Sequence, residues 1–217
     1  MSAARDAVLG RIRTALGPDR PAAELPPLDA TVPGLTGAAL VERFAERVAD
    51  YRATVVTAVD EHALRVAVDE ACDRHGVARL GVAPGIEDGR VPAGVTRAPV
   101  DAATRDDVAA LTELDGVLAV ATLGIAETGT IVFDGGPESG PRAASLVPDV
   151  LICIVDAASI VASVPEGFAR MGALVRESGR PLTLVSGPSA TSDIELQRVE
   201  GVHGPRQLEV VVLAPGA

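Results

Sequence analysis

The sequence contains no lysine; all 19 of its basic residues are arginine. That one absence removes several chemistries. A Schiff-base lysine, a pyridoxal-phosphate anchor and a phosphate-loop lysine are each excluded. Cysteine is almost as scarce, with Cys72 and Cys153 the two in 217 residues. Iron–sulfur clusters take four cysteine ligands, so this chain cannot hold one alone or act as a self-contained electron carrier of that type. Asparagine and tryptophan are also missing. Lysine and asparagine share A-rich codons, so the joint gap reads as GC pressure on the genome and not as a functional signal.

Positive charge is in deficit too. Acidic residues outnumber basic ones by 30 to 19, a formal charge of −11. That balance repels phosphate backbones and anionic lipid, so no nucleic-acid or membrane-surface role is expected. No apolar run approaches the ~20 residues that span a bilayer. The richest, Val150–Val155, is closed at both ends by Asp149 and Asp156. The amino terminus, Met1-Ser2-Ala3-Ala4-Arg5-Asp6, lacks the charged-then-apolar pattern of a secretory signal. We therefore expect a soluble, cytoplasmic protein with no membrane insertion and with both thiols reduced. The rest of the composition, 47% hydrophobic and 23% charged, is that of an ordinary globular domain. A core of this size hides roughly 70% of the unfolded surface without disulfides or structural metal.

Residues 3–16 read as a short amphipathic helix, with Val8, Leu9, Ile12 and Leu16 on one face and Gly17-Pro18 ending it. Five prolines between Pro18 and Pro33 then rule out regular structure and stiffen an extended linker. Residues 1–35 form an arm, which either docks on its own domain (the expectation favoured here) or binds a partner; residues 36–217 form one domain. From Thr36 helices and strands alternate. A helix through Tyr51 precedes a strand Thr54–Val59; Asp60 caps a helix to His75-Gly76; a strand Arg79–Ala83 follows. A turn-rich stretch to Val100 leads to a helix near Thr104–Leu114, capped by Thr104 with Asp106 and Asp107 in its first turn. Short β-branched runs follow at Gly116–Thr122, Thr130–Phe133, Val150–Val155, Leu182–Ser186 and Leu208–Leu213, with helices expected at Ala157–Ala162 and Glu166–Arg176. Such alternation implies an α/β fold with a largely parallel, doubly covered sheet. Ligands in these sheets sit beyond the carboxyl ends of the strands.

Three segments carry candidate chemistry. In Gly124–Thr130, Glu127 is the one ionisable group between Asp115 and Asp134, beside Thr128, Gly129 and Thr130. Burial would raise its pKa and suit it to nucleophilic or acid–base work. The alternative is a β-hairpin whose glutamate faces water. In Arg142–Asp149, Arg142 can clamp a carboxylate or phosphate, or instead pair with Asp134 or Glu138 on the preceding turn. The third, Val185–Glu195, runs from a strand through Gly187-Pro188 into an expected helix, with hydroxyls at Ser189, Thr191 and Ser192. Its amides could cradle an anion. Ser192-Asp193-Ile194-Glu195 also reads as a capping box, which explains the spacing without any ligand. Downstream, Glu200, Gly201, His203 and Gly204 lead to Arg206, and a histidine between flanking glycines suggests a placed imidazole. Asp193, Glu195 and His203 lack the spacing of metal motifs, so no metal is expected. His62 and His75 read as structural, one in a helix's first turn and one at a helix end.

GIAETGT (Gly124–Thr130), RAASLVPDV (Arg142–Val150) and GPSATSDIELQRVEGVHGPRQLEVVV (Gly187–Val212) together resemble the LUD-domain family, over roughly residues 36–213. The resemblance implies a three-layer α/β/α fold like that of NagB/RpiA/CoA-transferase-like proteins. It also implies a part in oxidising L-lactate to pyruvate beside two iron–sulfur partner proteins, this chain carrying no cluster or other cofactor. Within that reading, Glu127, Glu195 and His203 are the catalytic candidates. Thr128, Gly129, Thr130, Arg142, Gly187, Pro188, Ser189, Thr191, Ser192, Asp193, Glu200, Gly201 and Gly204 are candidates to bind a small carboxylate substrate. CoA transferases attack an acyl group with a glutamate in an E-x-G turn, and Glu127-Thr128-Gly129 matches that short pattern. A free-standing acyl-transfer enzyme, or a regulatory module that binds a small carboxylate without turnover, therefore stands as the alternative.

Overall fold

A computed structural model describes residues 3–17, 34–100, 104–192, 198–200 and 204–214. The chain opens with α1 (Ala3–Leu16), α2 (Gly37–Ala49), β1 (Thr54–Ala58), α3 (Glu61–His75), β2 (Arg79–Val82) and β3 (Thr96–Pro99). It continues through α4 (Arg105–Ala110), β4 (Gly116–Val120), β5 (Leu123–Ile125), β6 (Thr130–Phe133) and β7 (Val150–Asp156). It then forms β8 (Ile160–Val161), α5 (Val164–Ser178), β9 (Thr183–Val185), β10 (Ala190–Ser192), β11 (Arg198–Glu200) and β12 (Gln207–Leu213).

Six strands form one sheet in the order β1-β12-β7-β4-β2-β3, every neighbouring pair parallel. Its central strands are apolar on both faces, as a doubly covered parallel sheet requires. Leu151, Cys153 and Val155 of β7, with Leu208, Val210 and Val212 of β12, join Phe44 and Val48 of α2 in one core. The alternate residues Ile152, Ile154 and Val211 join Leu64, Val68, Ala71 and Cys72 of α3 in the other. The expected α/β architecture is therefore present.

The helix signals worked as local chemistry dictates. Asp60 accepts the Ala63 amide at 2.7 Å and Gly76 ends α3 in the left-handed region. Thr104 and Asp107 close a reciprocal capping box on α4.

Several expectations need correction. The runs at Thr130–Phe133 and Leu182–Ser186 do not enter the parallel sheet. They belong to a second, mostly antiparallel sheet in the order β8-β5-β6-β9. This sheet lies on the α2 side of the main one, and Leu123, Ile125, Val132 and Val161 form a third core with Met171 of α5. The segment Ala157–Ala162 is not a helix. Asp156 caps a single 3-10 turn at Ala157–Ser159, after which Ile160 and Val161, β-branched and buried, pair with β5. Residues 96–99, read as part of a turn-rich stretch, form β3 at the sheet's edge, where Pro99 can close a strand. Ala190–Ser192 forms a short strand paired antiparallel with Arg198–Glu200, with Ser192 opposite Arg198, while the helix expected from Asp193 lies outside the described residues. Finally, α1 does not dock on the core: it buries none of its residues.

Because the six strands are parallel, the main sheet has distinct amino and carboxyl ends. β5 leaves β4 at the carboxyl end and runs back, so the β5–β6 turn reaches the amino end, where α2 feeds β1. β6 then returns to the carboxyl end, and β9, antiparallel to it, again runs to the amino end.

Candidate functional site: the two ends of the sheet

At the carboxyl ends of β4, β7 and β12 lies a cavity of about 520 Å³, where this architecture places ligands. Its polar lining is Arg90, Thr122, Asp134, Glu138, Ser139 and Asp156. Four of these groups have defined partners. Glu61, in the first turn of α3, grips the Arg90 guanidinium through two bonds of 3.0 and 2.6 Å. Ser139 donates to the Val120 carbonyl at 2.9 Å and meets the Thr122 hydroxyl at 3.2 Å. Asp134 ends β6, accepts the Gly136 amide at 2.8 Å, and pairs with Arg180 at 2.6 Å. Burial pushes the Asp134 carboxyl up, but the Arg180 guanidinium and the Gly136 amide more than offset it and hold it below its ordinary value. Asp134 thus pairs with Arg180, and not with Arg142. Three carboxylates (Asp134, Glu138 and Asp156) face one arginine in this lining. The cavity therefore disfavours an anion such as a small carboxylate. Sequence reading did not single these residues out as a site, although polar side chains at the strand ends, Thr122 two residues past β4 and Asp156 closing β7, carried the signal.

The three motif segments meet at the opposite, amino end. The hydroxyls of Thr128, Thr130 and Ser186 form a chain, 2.7 Å and 2.8 Å between successive oxygens, which joins the β5–β6 turn to the end of β9. Ser189 donates its amide to the Pro205 carbonyl at 2.8 Å. A Cβ on Gly204 would lie 3.3 Å from Ser189 and 4.0 Å from Leu146, so the second and third segments touch there. Arg206 approaches Asp149 at 3.7 Å, both exposed. Arg142 is exposed on a 3-10 turn and has no ion pair among the described residues.

Two glycines in these motifs serve packing. Gly129 has φ +61°, and a Cβ there would fall 2.5 Å from the Arg47 carbonyl carbon of α2. A Cβ on Gly187 would fall 2.5 Å from that of Tyr51. Glu127 is exposed, which overturns the expected burial, and its carboxylate accepts the Val164 amide at 2.8 Å. It therefore satisfies one of the orphan amides at the start of α5 and lines neither cavity described here. Thr191, Ser192 and Glu200 lie on β10 and β11, while Asp193, Glu195, Gly201 and His203 lie outside the described residues.

A second cavity of about 520 Å³ opens at this end, lined by His75, Asp115, Asp149, Arg206 and Gln207 among others. His75 has more than a helix-end role. Its Nε2 lies 2.6 Å from Glu209, a carboxylate buried in β12 that Arg74 also binds at 2.6 Å. This three-residue cluster ties the end of α3 to the centre of the sheet. No group of three or more histidine, cysteine, aspartate or glutamate residues is placed to hold a metal among the described residues.

With this geometry in view, comparison with known proteins decides the family. A sequence model of the LUD domain matches residues 41–213. The chain belongs to the LUD domain family. A lactate utilization protein C of Deinococcus radiodurans is 42% identical over 210 residues, 95% of this chain and 93% of that protein. Another family relative, a lactate utilization protein C of Geobacillus kaustophilus, is 29% identical over 112 residues, 50% of this chain and 46% of that one. A crystal structure of a DUF162 family protein from Deinococcus radiodurans matches with a TM-score of 0.67 at 36% identity, over 82% of this chain and 99% of that one. The family match spans the parallel sheet, both of its ends and the second sheet.

Proposed function

We propose that this protein acts in lactate utilisation as a non-redox subunit that works beside iron–sulfur partner proteins in the oxidation of L-lactate to pyruvate. The observation that carries the proposal is the 42% identity to a lactate utilization protein C across 95% of the chain. The sequence and the geometry support the division of labour. The chain has two cysteines, and both thiols are buried in separate cores, out of reach of a shared cluster. No helix among the described residues is long and apolar enough to cross a membrane, in keeping with work in the cytoplasm. The amino-end surface built from Thr128–Thr130, Gly187–Ser189 and Gly204–Arg206 is where we place partner or substrate contact. Arg142 is the cation we assign to a small carboxylate, because three acidic groups surround the one arginine of the carboxyl-end cavity.

The test is genetic and biochemical. Deleting the gene should abolish growth on L-lactate as sole carbon source, and the full-length chain supplied in trans should restore it. Affinity capture of that chain should bring down partners with the visible absorption of iron–sulfur clusters. Normal growth of the deletion strain would remove the proposal.

A further inference from the structure

Among the described residues, the helix that precedes the domain and a groove on the domain itself are each left uncovered, and their surfaces match. In α1, Val8, Ile12 and Leu16 are 55%, 48% and 48% exposed. At 100° per residue they share one face, and Arg11 and Arg13 flank Ile12 on either side. Along α2, facing the carboxyl ends of β1 and β12, runs an apolar groove of about 790 Å³. Leu40, Val41 and Ala45 form its helix wall, Ala157 and Ala214 its far side, and Glu42 and Glu46 its charged rim. The dimensions agree. The stripe from Val8 to Leu16 is about 12 Å long and the lining from Gly37 to Glu46 about 13 Å, at 1.5 Å per residue.

We infer that α1 of a second copy of this chain occupies the groove, and that the exchange is reciprocal, giving a closed dimer. Three observations select this occupant. Among the described residues nothing apolar covers the groove and α1 has no apolar seat, so each copy supplies what the other needs. Arg11 and Arg13 of α1 complement Glu42 and Glu46 of the rim in charge. In one chain α1 stands away from its own groove with no buried residue, while the twenty residues from Gly17 to Thr36 can stretch to roughly 65 Å, ample for exchange. A twofold interface repeats each contact, so every arm–groove seat forms twice.

Cross-linking tests the assignment. Full-length chains carrying Ile12→Cys are mixed with chains carrying Ala45→Cys and treated with a short bismaleimide. The expected product has twice the chain mass and forms only in the mixture. A double variant that instead closes on itself, with no twofold product in the mixture, would overturn the inference in favour of self-docking. No cross-link in either case would overturn it as well. Light scattering gives a second readout. The wild-type chain should be a dimer, and Ile12→Glu with Leu16→Glu should be a monomer that keeps the wild-type circular dichroism spectrum. Glu42→Arg with Glu46→Arg should weaken dimerisation about tenfold, and adding Arg11→Glu and Arg13→Glu should restore it. A monomeric wild type, or no effect of the charge reversals, would refute the proposal.

Discussion

Replacing Gly129 by alanine separates two meanings of that glycine, ligand approach and helix packing. Its φ of +61° disfavours any side chain, a penalty of about 1–2 kcal/mol. Its Cβ would also sit 2.5 Å from the Arg47 carbonyl carbon and 2.7 Å from the Val48 nitrogen. Those are backbone atoms of α2, so the helix must shift, which costs about 1–3 kcal/mol more. Gly76 supplies the control. Its φ is +64°, but a Cβ there meets nothing within 4 Å, so Gly76→Ala carries the conformational penalty alone. Gly129→Ala should therefore be less stable than Gly76→Ala by about 1–3 kcal/mol. Urea unfolding followed by circular dichroism, with unchanged m-values, measures the difference directly. In a thermal scan each kcal/mol appears as roughly 2–4 °C for a domain of this size. Equal destabilisation by the two substitutions would refute the packing argument. Gly129 would then be free for the carboxylate-binding role its motif suggested.

The Asp134 carboxyl has a depressed folded-state value, so its stabilising contribution is present above the ordinary carboxylate range and is lost as pH falls through the folded value. Arg180→Ala leaves that carboxylate with the Gly136 amide, should cost about 1–3 kcal/mol near neutrality, and should move acid unfolding to higher pH; an unchanged acid transition would contradict this. Glu127→Gln keeps an oxygen for the Val164 amide and should lose only about 0.3–1 kcal/mol of helix-dipole interaction. Glu127→Ala should lose about 0.5–2 kcal/mol, and full loss of lactate growth with intact stability for both would return Glu127 to a chemical role. Burial, with Asp69 and Asp73 adding to it, pushes the Cys72 thiol up to about 11, and burial alone pushes Cys153 up further. Neither thiol should react with a maleimide in the native protein at pH 7, and both should react in urea; native labelling of either would show that its core opens.

Local rules read well where chemistry and geometry coincide. Asp60 with Gly76, and Thr104 with Asp107, marked helix ends because a cap is decided within a few residues. Strand β7 was legible because burial on both faces leaves an unbroken hydrophobic run from Val150 to Val155, and β12 through its shorter run Val210–Leu213. The second sheet was not legible. Thr130–Phe133 is as apolar as any strand of the main sheet, and nothing within it specifies an antiparallel partner. Of the candidate site, the sequence brought forward the segments that meet at the amino end. It missed the carboxyl-end cavity, whose Asp134–Arg180 pair spans 46 positions. Long-range ion pairs of this kind leave no local spacing to read.

The sheet order has a consequence for how the chain is made. Among the described residues strand β1 has one neighbour, β12, which leaves the ribosome long after it. From Ala58 to Leu213 synthesis adds 155 residues, about 8–30 s at ordinary elongation rates, during which β1 has no strand beside it, and one side of β7 stays bare over the stretch from Asp156 to Leu213. A message cut short before Gln207 would leave two sticky ribbons that no earlier part of the polypeptide can cover, a nascent product for chaperones to hold or proteases to clear.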